Sequence, residues 1–246
     1  MNFLGVRIDE LNRDEALKKI GGFLEQYKIF TPNPEMLVKA QKDEYFRKVL
    51  NAGDLNICDG AGISLFTGIK RITGVDFMLD ICALCEAQNK SVFLLGSGRG
   101  EVVEKTAENL QKKYPNLKIV EFDQGPKIVE NSDGGLRYVA EGENTIVLDK
   151  INEARPDIVF VAFGMGKQEK WIYENLEKMP SVKVAMGVGG SFDYLAGSAK
   201  RAPKFMRSIG LEWVFRLVRE PKRFVRIFNA TVVFSVLFLK SKFKDN

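Results

Sequence analysis

SVFLLGSGRGEVVEKTAENLQKKY, residues 91–114, changes character at its glycines. The run from Ser91 to Ser97 is apolar through its interior and ends in glycine, as a strand buried on both faces would be. Glu101 to Tyr114 then reads as a helix, which Pro115 stops. Working outward, the same alternation recurs. KIFTPN (28–33) and LNICDG (55–60) read as short strands. Between them, EMLVKAQKDEYFRKVLN (35–51) reads as one helix, with Met36, Leu37, Ala40, Phe46, Val49 and Leu50 mostly on one side. Val75 to Asn89 is helical, and KIVEF (118–122), DIVFVAFG (157–164) and VKVAMGVGG (182–190) are strands. The helix KQEKWIYENLEKM (167–179) separates the last two. The pattern predicts an α/β fold: a mostly parallel, Rossmann-like sheet with helices on both faces. Residues 123–156 mix turn signals with short apolar pieces and read as a surface excursion carrying a hairpin, YVAEG–ENTIVL.

In a parallel sheet, sites form beyond the carboxyl ends of the strands. Thr31, Asp59, Gly96, Gly98, Gly100, Gly164, Gly189 and Gly190 all fall there, so the fold gathers them at one rim. Glycines at that rim let the backbone approach a ligand and present N–H groups to an anion. Within NICDGAGI (56–63), Asp59 closes an apolar run. It can cap the next helix, or it can act as a base whose pKa is raised in a partly dry pocket.

The chain contains no histidine, which excludes every mechanism built on an imidazole; a general base must be a carboxylate, lysine, tyrosine or cysteine. The three cysteines, Cys58, Cys82 and Cys85, are too few for a disulfide framework and fit a reducing compartment. Cys82 and Cys85 lie three apart in an apolar helical stretch and read as core, not as a metal pair.

Charge divides the chain into an α/β catalytic domain, 1–198, and a basic C-terminal appendage, 199–246. The appendage carries 12 Lys/Arg against 3 Asp/Glu, the rest 25 against 29. Arg216, Arg219, Arg223 and Arg226 share one helix face, although Pro221 should kink or restart the helix. Ile227 to Leu239 is nearly all apolar but shorter than the roughly twenty residues a spanning helix needs. Flanked by arginines and by Lys240, Lys242 and Lys244, it reads as an amphipathic segment lying in an anionic membrane surface. A helix packed on the core with a solvated basic face is the alternative. Nucleic acid is not an expected partner, because the body is acidic and the basic stretch holds a long apolar run. An exposed apolar tail could also pack into a second copy as a homo-oligomer. MNFLGVRIDELNRDEAL lacks the basic start and long apolar core of a signal peptide.

Three glycine turns carry candidate chemistry. GSGRGE (96–101) approximates the dinucleotide fingerprint, with Glu101 in place of the third glycine and Glu121 where a ribose ligand would stand. It supports a rival reading as an NAD(P)-dependent oxidoreductase, or it is a plain strand–helix turn. FGMGKQEKW (163–171) puts Gln168 and Glu169 in a first helical turn, where Glu169 can cap and Gln168 can read a base or sugar edge. GVGGSFDYLAGSAKRAP (187–203) offers Gly189, Gly190, Ser191 and Asp193 around a turn that could hold a phosphate.

TPNPEMLVKAQ, CDGAGI, RITGVDFML, FGMGKQEKWI, GVGGSFDYLAGSAKRAP and LEWVFRLVREPKRF occur in the order seen in the WecG/TagA/CpsF glycosyltransferases, which the chain resembles over roughly residues 1–230. The resemblance implies a membrane-associated bacterial hexosyltransferase that moves a sugar from a nucleotide donor to a polyprenyl-diphosphate-linked acceptor. In the TagA-like branch, N-acetylmannosamine passes from its UDP-sugar to the 4-hydroxyl of lipid-linked N-acetylglucosamine, with inversion, in wall teichoic acid assembly. No cofactor and no metal is implied, and the chain has no D-x-D motif. Asp59 matches the acid proposed as general base and Thr31 a threonine beside it. Arg71 matches an arginine of the active-site region and Gln168 a glutamine near the donor. Arg216, Arg223 and Arg226 match tail arginines that close over the site and meet the lipid diphosphate. Asn33, Gly189, Gly190 and Asp193 complete the expected substrate-binding set. The chain departs from the family in having Cys58 where proline is usual, a shorter segment between Asp59 and Arg71, and a longer stretch after Gly125. The resemblance places the enzyme peripherally on the cytoplasmic face of the membrane. A non-catalytic membrane-binding module remains a further alternative.

Overall fold

The computed structural model describes residues 1–219, 221 and 224–244. The first half contains β1 (Asn2–Phe3), β2 (Val6–Arg7), α1 (Arg13–Ile20), β3 (Tyr27–Phe30), α2 (Pro34–Ala40), α3 (Glu44–Asn51), β4 (Leu55–Asn56), α4 (Ala61–Thr67), α5 (Gly74–Ala87), β5 (Ser91–Gly96), α6 (Gly100–Lys113) and β6 (Lys118–Asp123). There follow β7 (Ile128–Glu130), β8 (Leu136–Tyr138), α7 (Glu143–Ala154), β9 (Ile158–Ala162), α8 (Lys167–Asn175), β10 (Val184–Gly187), α9 (Ser191–Leu195), α10 (Lys204–Ser208), α11 (Glu212–Arg219), α12 (Phe224–Phe228), a π-helical stretch (Asn229–Val233) and α13 (Phe234–Lys244).

Six strands form one sheet in the order β4-β3-β10-β9-β5-β6, and every neighbouring pair is parallel. The expected α/β architecture therefore holds. Both faces are covered: Phe93, Leu95, Val159 and Val161 point into one apolar layer, and Val92, Leu94, Ile158 and Phe160 into the other. This is why the central strands read as unbroken apolar runs. The chain steps from β3 outward to β4 and from β5 outward to β6, and β9 and β10 later fill the middle. The order reverses between β3 and β10 and between β5 and β9, and crevices open above such reversals.

Three expectations are corrected. The helix predicted over 35–51 is two helices, because Asp43 caps α3, its Oδ1 accepting from the Phe46 N–H at 2.8 Å. The hairpin in the 123–156 excursion is β7–β8, pairing Ile128 with Tyr138, and ENTIVL instead opens α7. In the tail, helical structure runs without a gap from Phe224 to Lys244, beyond the short apolar run. Its stretch Phe224–Ser241 has a mean hydropathy of 1.5 and is long and apolar enough, by length and composition, to cross a membrane. The helix is nonetheless held against the body. Phe234 and Phe238 are buried among Phe3 and Phe66, with ring centroids 4.3–5.9 Å apart. Burying each ring contributes roughly 1.5–3 kcal/mol.

Helix α8 buries two charged side chains that the pattern of its sequence disguises. Lys170 is fully buried, its ammonium donating to Asp43 and Glu130 at 2.8 Å each. Glu130 also accepts from Lys39 at 2.6 Å, so the hairpin, α2, α3 and α8 meet in one ionic knot. Glu169, also fully buried, accepts from the Gly166 N–H and from Gln168 Nε2, both at 2.7 Å. Burial pushes its carboxyl up to about 7 against those two hydrogen bonds.

Removing one member of a buried ionic group strands the others, at a cost of about 3–5 kcal/mol. Lys170→Ala is therefore expected to destabilise the fold by that amount in urea unfolding, and more than Lys39→Ala, whose position is less enclosed. Glu169 has the opposite pH dependence from a salt-bridged acid. Its folded pKa lies above its ordinary value of 4.5, so the native state holds the extra proton and stability declines as pH rises from about 4.5 to about 7. Glu169→Gln should remove that decline, read as thermal midpoints of the two proteins across the window.

Candidate active site

The strand exits do converge. β3 runs out into Thr31, Pro32 and Asn33, and β4 into Ile57, Cys58 and Asp59, with the Asp59 N–H donating to the Pro32 carbonyl at 3.2 Å. Gly60 is bare for a steric reason: a Cβ there would come within 2.2 Å of Pro34 Cδ at the head of α2. The two exits can close on each other only with glycine in that place.

Above them opens a cleft of about 700 Å³. Asn33, Asp59 and Arg71 line it from the body, and Glu212, Arg216 and Arg226 from the tail. Asp59 is half-buried at this wall, and Oδ1 accepts from the Gly74 N–H at 3.2 Å. Burial raises its pKa, and Glu212 adds to the rise; Arg71, Arg216 and the Gly74 hydrogen bond oppose it. Asp59 does not cap α4, whose N-cap is Gly60 with no side-chain cap. Its carboxylate hydrogen bond comes instead from the first residue of α5, and the rest of the carboxylate faces the cleft wall. The neighbouring Cys58 thiol is pushed up to about 12 by burial and by Asp59, so it stays protonated and inert.

Arg71 spends its donors on protein. Nε reaches the Asp59 carbonyl at 2.6 Å, Nη1 the Arg207 carbonyl at 3.2 Å and Nη2 the Glu212 carboxylate at 3.3 Å. Arg216 donates to the other Glu212 oxygen at 3.2 Å and lies over the Tyr194 ring at 5.2 Å. Arg226 pairs with Glu35 at 2.7 and 3.0 Å. Arg223 lies outside the described residues. Asn33 caps α2, accepting from the Met36 N–H at 3.0 Å, while it lines the cleft. Thr31 is buried behind it, its methyl facing Gly74.

The remaining expected residues stand farther along the rim, outside the cleft wall. Gln168 is buried, with Oε1 accepting from the Gly189 N–H at 2.9 Å, so that N–H is already bonded within the protein. Asp193 accepts from Arg99 of the GSGRGE turn and from Ser198 Oγ at 3.2 Å. Gly96 of that turn answers to strand packing: a Cβ would meet the Ala162 backbone at 2.8 Å. Glu121 is exposed and hydrogen-bonds the next residue's N–H, not a site held for a ribose.

Several residues escaped the sequence reading: Glu35, Thr73, Arg201 and Glu212, which line the cleft, and Asp76, which holds Arg201. Asp76 binds Arg201 at 2.7 and 2.8 Å and Thr73 at 2.5 Å; despite burial, these contacts bring its carboxyl down to about 2. The nearest sequence signal was Glu212 four residues before Arg216, an ordinary helix-face pair. Among the described residues no group of three or more His, Cys, Asp or Glu is arranged to hold a metal ion.

Comparison with known proteins follows the same line. A Bacillus subtilis (strain 168) N-acetylglucosaminyldiphosphoundecaprenol N-acetyl-beta-D-mannosaminyltransferase is 32% identical over 228 residues, covering 90% of this chain and 81% of its own. The enzyme of the same name from Bacillus spizizenii (strain ATCC 23059 / NRRL B-14472 / W23) is 32% identical, covering 84% of this chain and 78% of its own. That from Staphylococcus aureus (strain MW2) is 29% identical, covering 99% and 94%. The family model described as Glycosyl transferase WecG/TagA/CpsF family matches residues 1–246, and the chain belongs to that glycosyltransferase family.

Proposed function

We propose that this protein transfers N-acetylmannosamine from a UDP-sugar to N-acetylglucosamine carried on a polyprenyl diphosphate, with inversion, as a step in wall teichoic acid or related surface-polymer synthesis. The names of its relatives supply the sugar and the acceptor. The observation that carries the chemistry is Asp59: a carboxylate on the cleft wall, bound by one backbone N–H and flanked by guanidiniums that point elsewhere.

A sugar hydroxyl has a pKa far above 7 and needs a base as it attacks the anomeric carbon. The Asp59 carboxylate takes that proton while the hydroxyl oxygen forms the new glycosidic bond and the bond to UDP breaks. Asn33 shapes the wall beside it, and Thr31 packs behind that wall. The leaving diphosphate gathers negative charge, and Arg216, Arg226 and the further tail arginines supply the opposing potential. Gln168 supports the donor end of the rim by holding the Gly189 turn, with Gly190 and Asp193 beside it. On this reading residues 1–198 are the catalytic unit and 199–246 the segment that completes the cleft. The oxidoreductase reading is not favoured, since the GSGRGE turn serves strand packing and an Arg99–Asp193 pair.

The tail also carries a surface suited to a bilayer. Val225, Phe228, Val232, Val236 and Leu239 recur at spacings of three and four and are 44–67% exposed. They form one outward stripe on a helix whose other side holds Phe234 and Phe238. On this reading the helix lies along a membrane surface and the enzyme works peripherally on the cytoplasmic face, where a nucleotide-sugar donor is found.

Asp59→Asn should keep the fold and lower turnover by about 10²–10⁴-fold, measured as UDP release with a synthetic lipid-diphosphate acceptor. Turnover near that of the wild type would remove Asp59 from the base role. Phe228→Asp with Val232→Asp should release the protein from vesicles containing anionic lipid in sedimentation assays while UDP binding is retained. Undiminished sedimentation would rule the stripe out as the membrane contact.

A further inference from the structure

Two guanidiniums lie close enough to Asp59 to lower its pKa, yet among the described residues neither forms an ion pair with its carboxylate. Both are bound to Glu212. Its Oε2 takes Arg71 at 3.3 Å and its Oε1 takes Arg216 at 3.2 Å, one oxygen for each cation. Arg71 is further fixed by the Asp59 and Arg207 carbonyls, so its guanidinium lies along the backbone of the base loop instead of on the base.

We propose that Glu212 is a positioning residue of the transfer reaction: its carboxylate draws Arg71 and Arg216 away from Asp59 and keeps the base unpaired. The inference rests on Asp59 being the base. Glu212 itself has only 12% of its side chain exposed, so both contacts are made largely out of water, where they hold best. With Glu212 neutralised, Asp59 is a carboxylate within electrostatic reach of both guanidiniums, on the wall of the same cleft. Pairing there would favour its charged form and weaken it as a proton acceptor.

The other charges around Asp59 are already committed. Arg201, from the segment before α10, is held by Asp76. Arg226 of α12 is held by Glu35 of α2. Cys58 is neutral, its thiol pushed up to about 12, and the Gly74 N–H is an uncharged donor. Two carbonyls also hold Arg71 and the Tyr194 ring lies under Arg216, but among the described residues Glu212 is the carboxylate that binds both. Because it sits on α11, the base loop and the tail are set by one carboxylate.

The test uses the full-length enzyme, with UDP release to a lipid-diphosphate acceptor followed against pH. Glu212→Gln is expected to lower kcat about tenfold, as a weaker base would. It should also move the acid limb of the kcat profile to lower pH, because losing the negative charge and freeing both cations lowers the Asp59 pKa. KM for the donor should change little, and Glu212→Asp should restore the wild-type limb. An acid limb that stays in place overturns the inference, as does Trp213 fluorescence showing that Glu212→Gln has simply undocked α11. Asp59→Asn in the same assay separates the two levels. If it is inactive and the Glu212→Gln limb has not moved, only the role of Glu212 is lost. If it turns over normally, the base assignment itself fails.

Discussion

Six strands running the same way deliver all their carboxyl ends to one rim, and the site exists because of that. The exits of β3 and β4, about twenty-five residues apart in sequence, close on each other through the Asp59 N–H to Pro32 carbonyl bond and the contact of Gly60 with Pro34. An antiparallel partner in either place would send one of those loops to the opposite edge. Both faces of the sheet are buried, so the strands cannot slip without exposing an apolar layer, and the geometry of the rim inherits that rigidity.

Upon this frame the chain sorts its charges. The body is acidic and the tail basic, and they meet in pairs: Glu35 with Arg226, and Asp76 with Arg201. One pair runs the other way, with Arg71 of the body taking Glu212 of the tail. The Glu35 and Asp76 pairs are modest singly, since partly exposed ion pairs contribute about 0–1 kcal/mol, while the Arg71–Glu212 pair is more enclosed. Together they fix the angle at which the tail crosses the cleft, while Phe234 and Phe238 supply most of the holding energy.

The sheet was legible in the sequence because strands buried on both faces cannot hide: Ser91–Gly96 and Ile158–Ala162 are apolar at almost every position. Asp59 was legible for a related reason, as a lone acid at the end of such a run. The break between α2 and α3 was not, because the apolar side continues across it and only the Asp43 cap marks it. ENTIVL looked like a strand by composition, but Val147 and Ile151 pack at helical spacing. The burial of Lys170 was not legible because its partners, Asp43 and Glu130, lie far away in sequence. The same holds for Glu212. Its pairing with Arg216 is local, but its hold on Arg71 spans 141 positions and belongs to the tertiary structure alone.

The tail helix has two apolar sides, one spent on Phe3 and Phe66, the other facing outward. A bilayer resting on the outward side would stand about one helix diameter, 10–12 Å, from the cleft wall. That standoff is comparable to the depth of a headgroup layer, so the acceptor's diphosphate could enter the cleft while its isoprenoid chain stays dissolved in the hydrocarbon. The helix would then act as a spacer that sets working height, and the enzyme would need no tunnel to swallow a lipid.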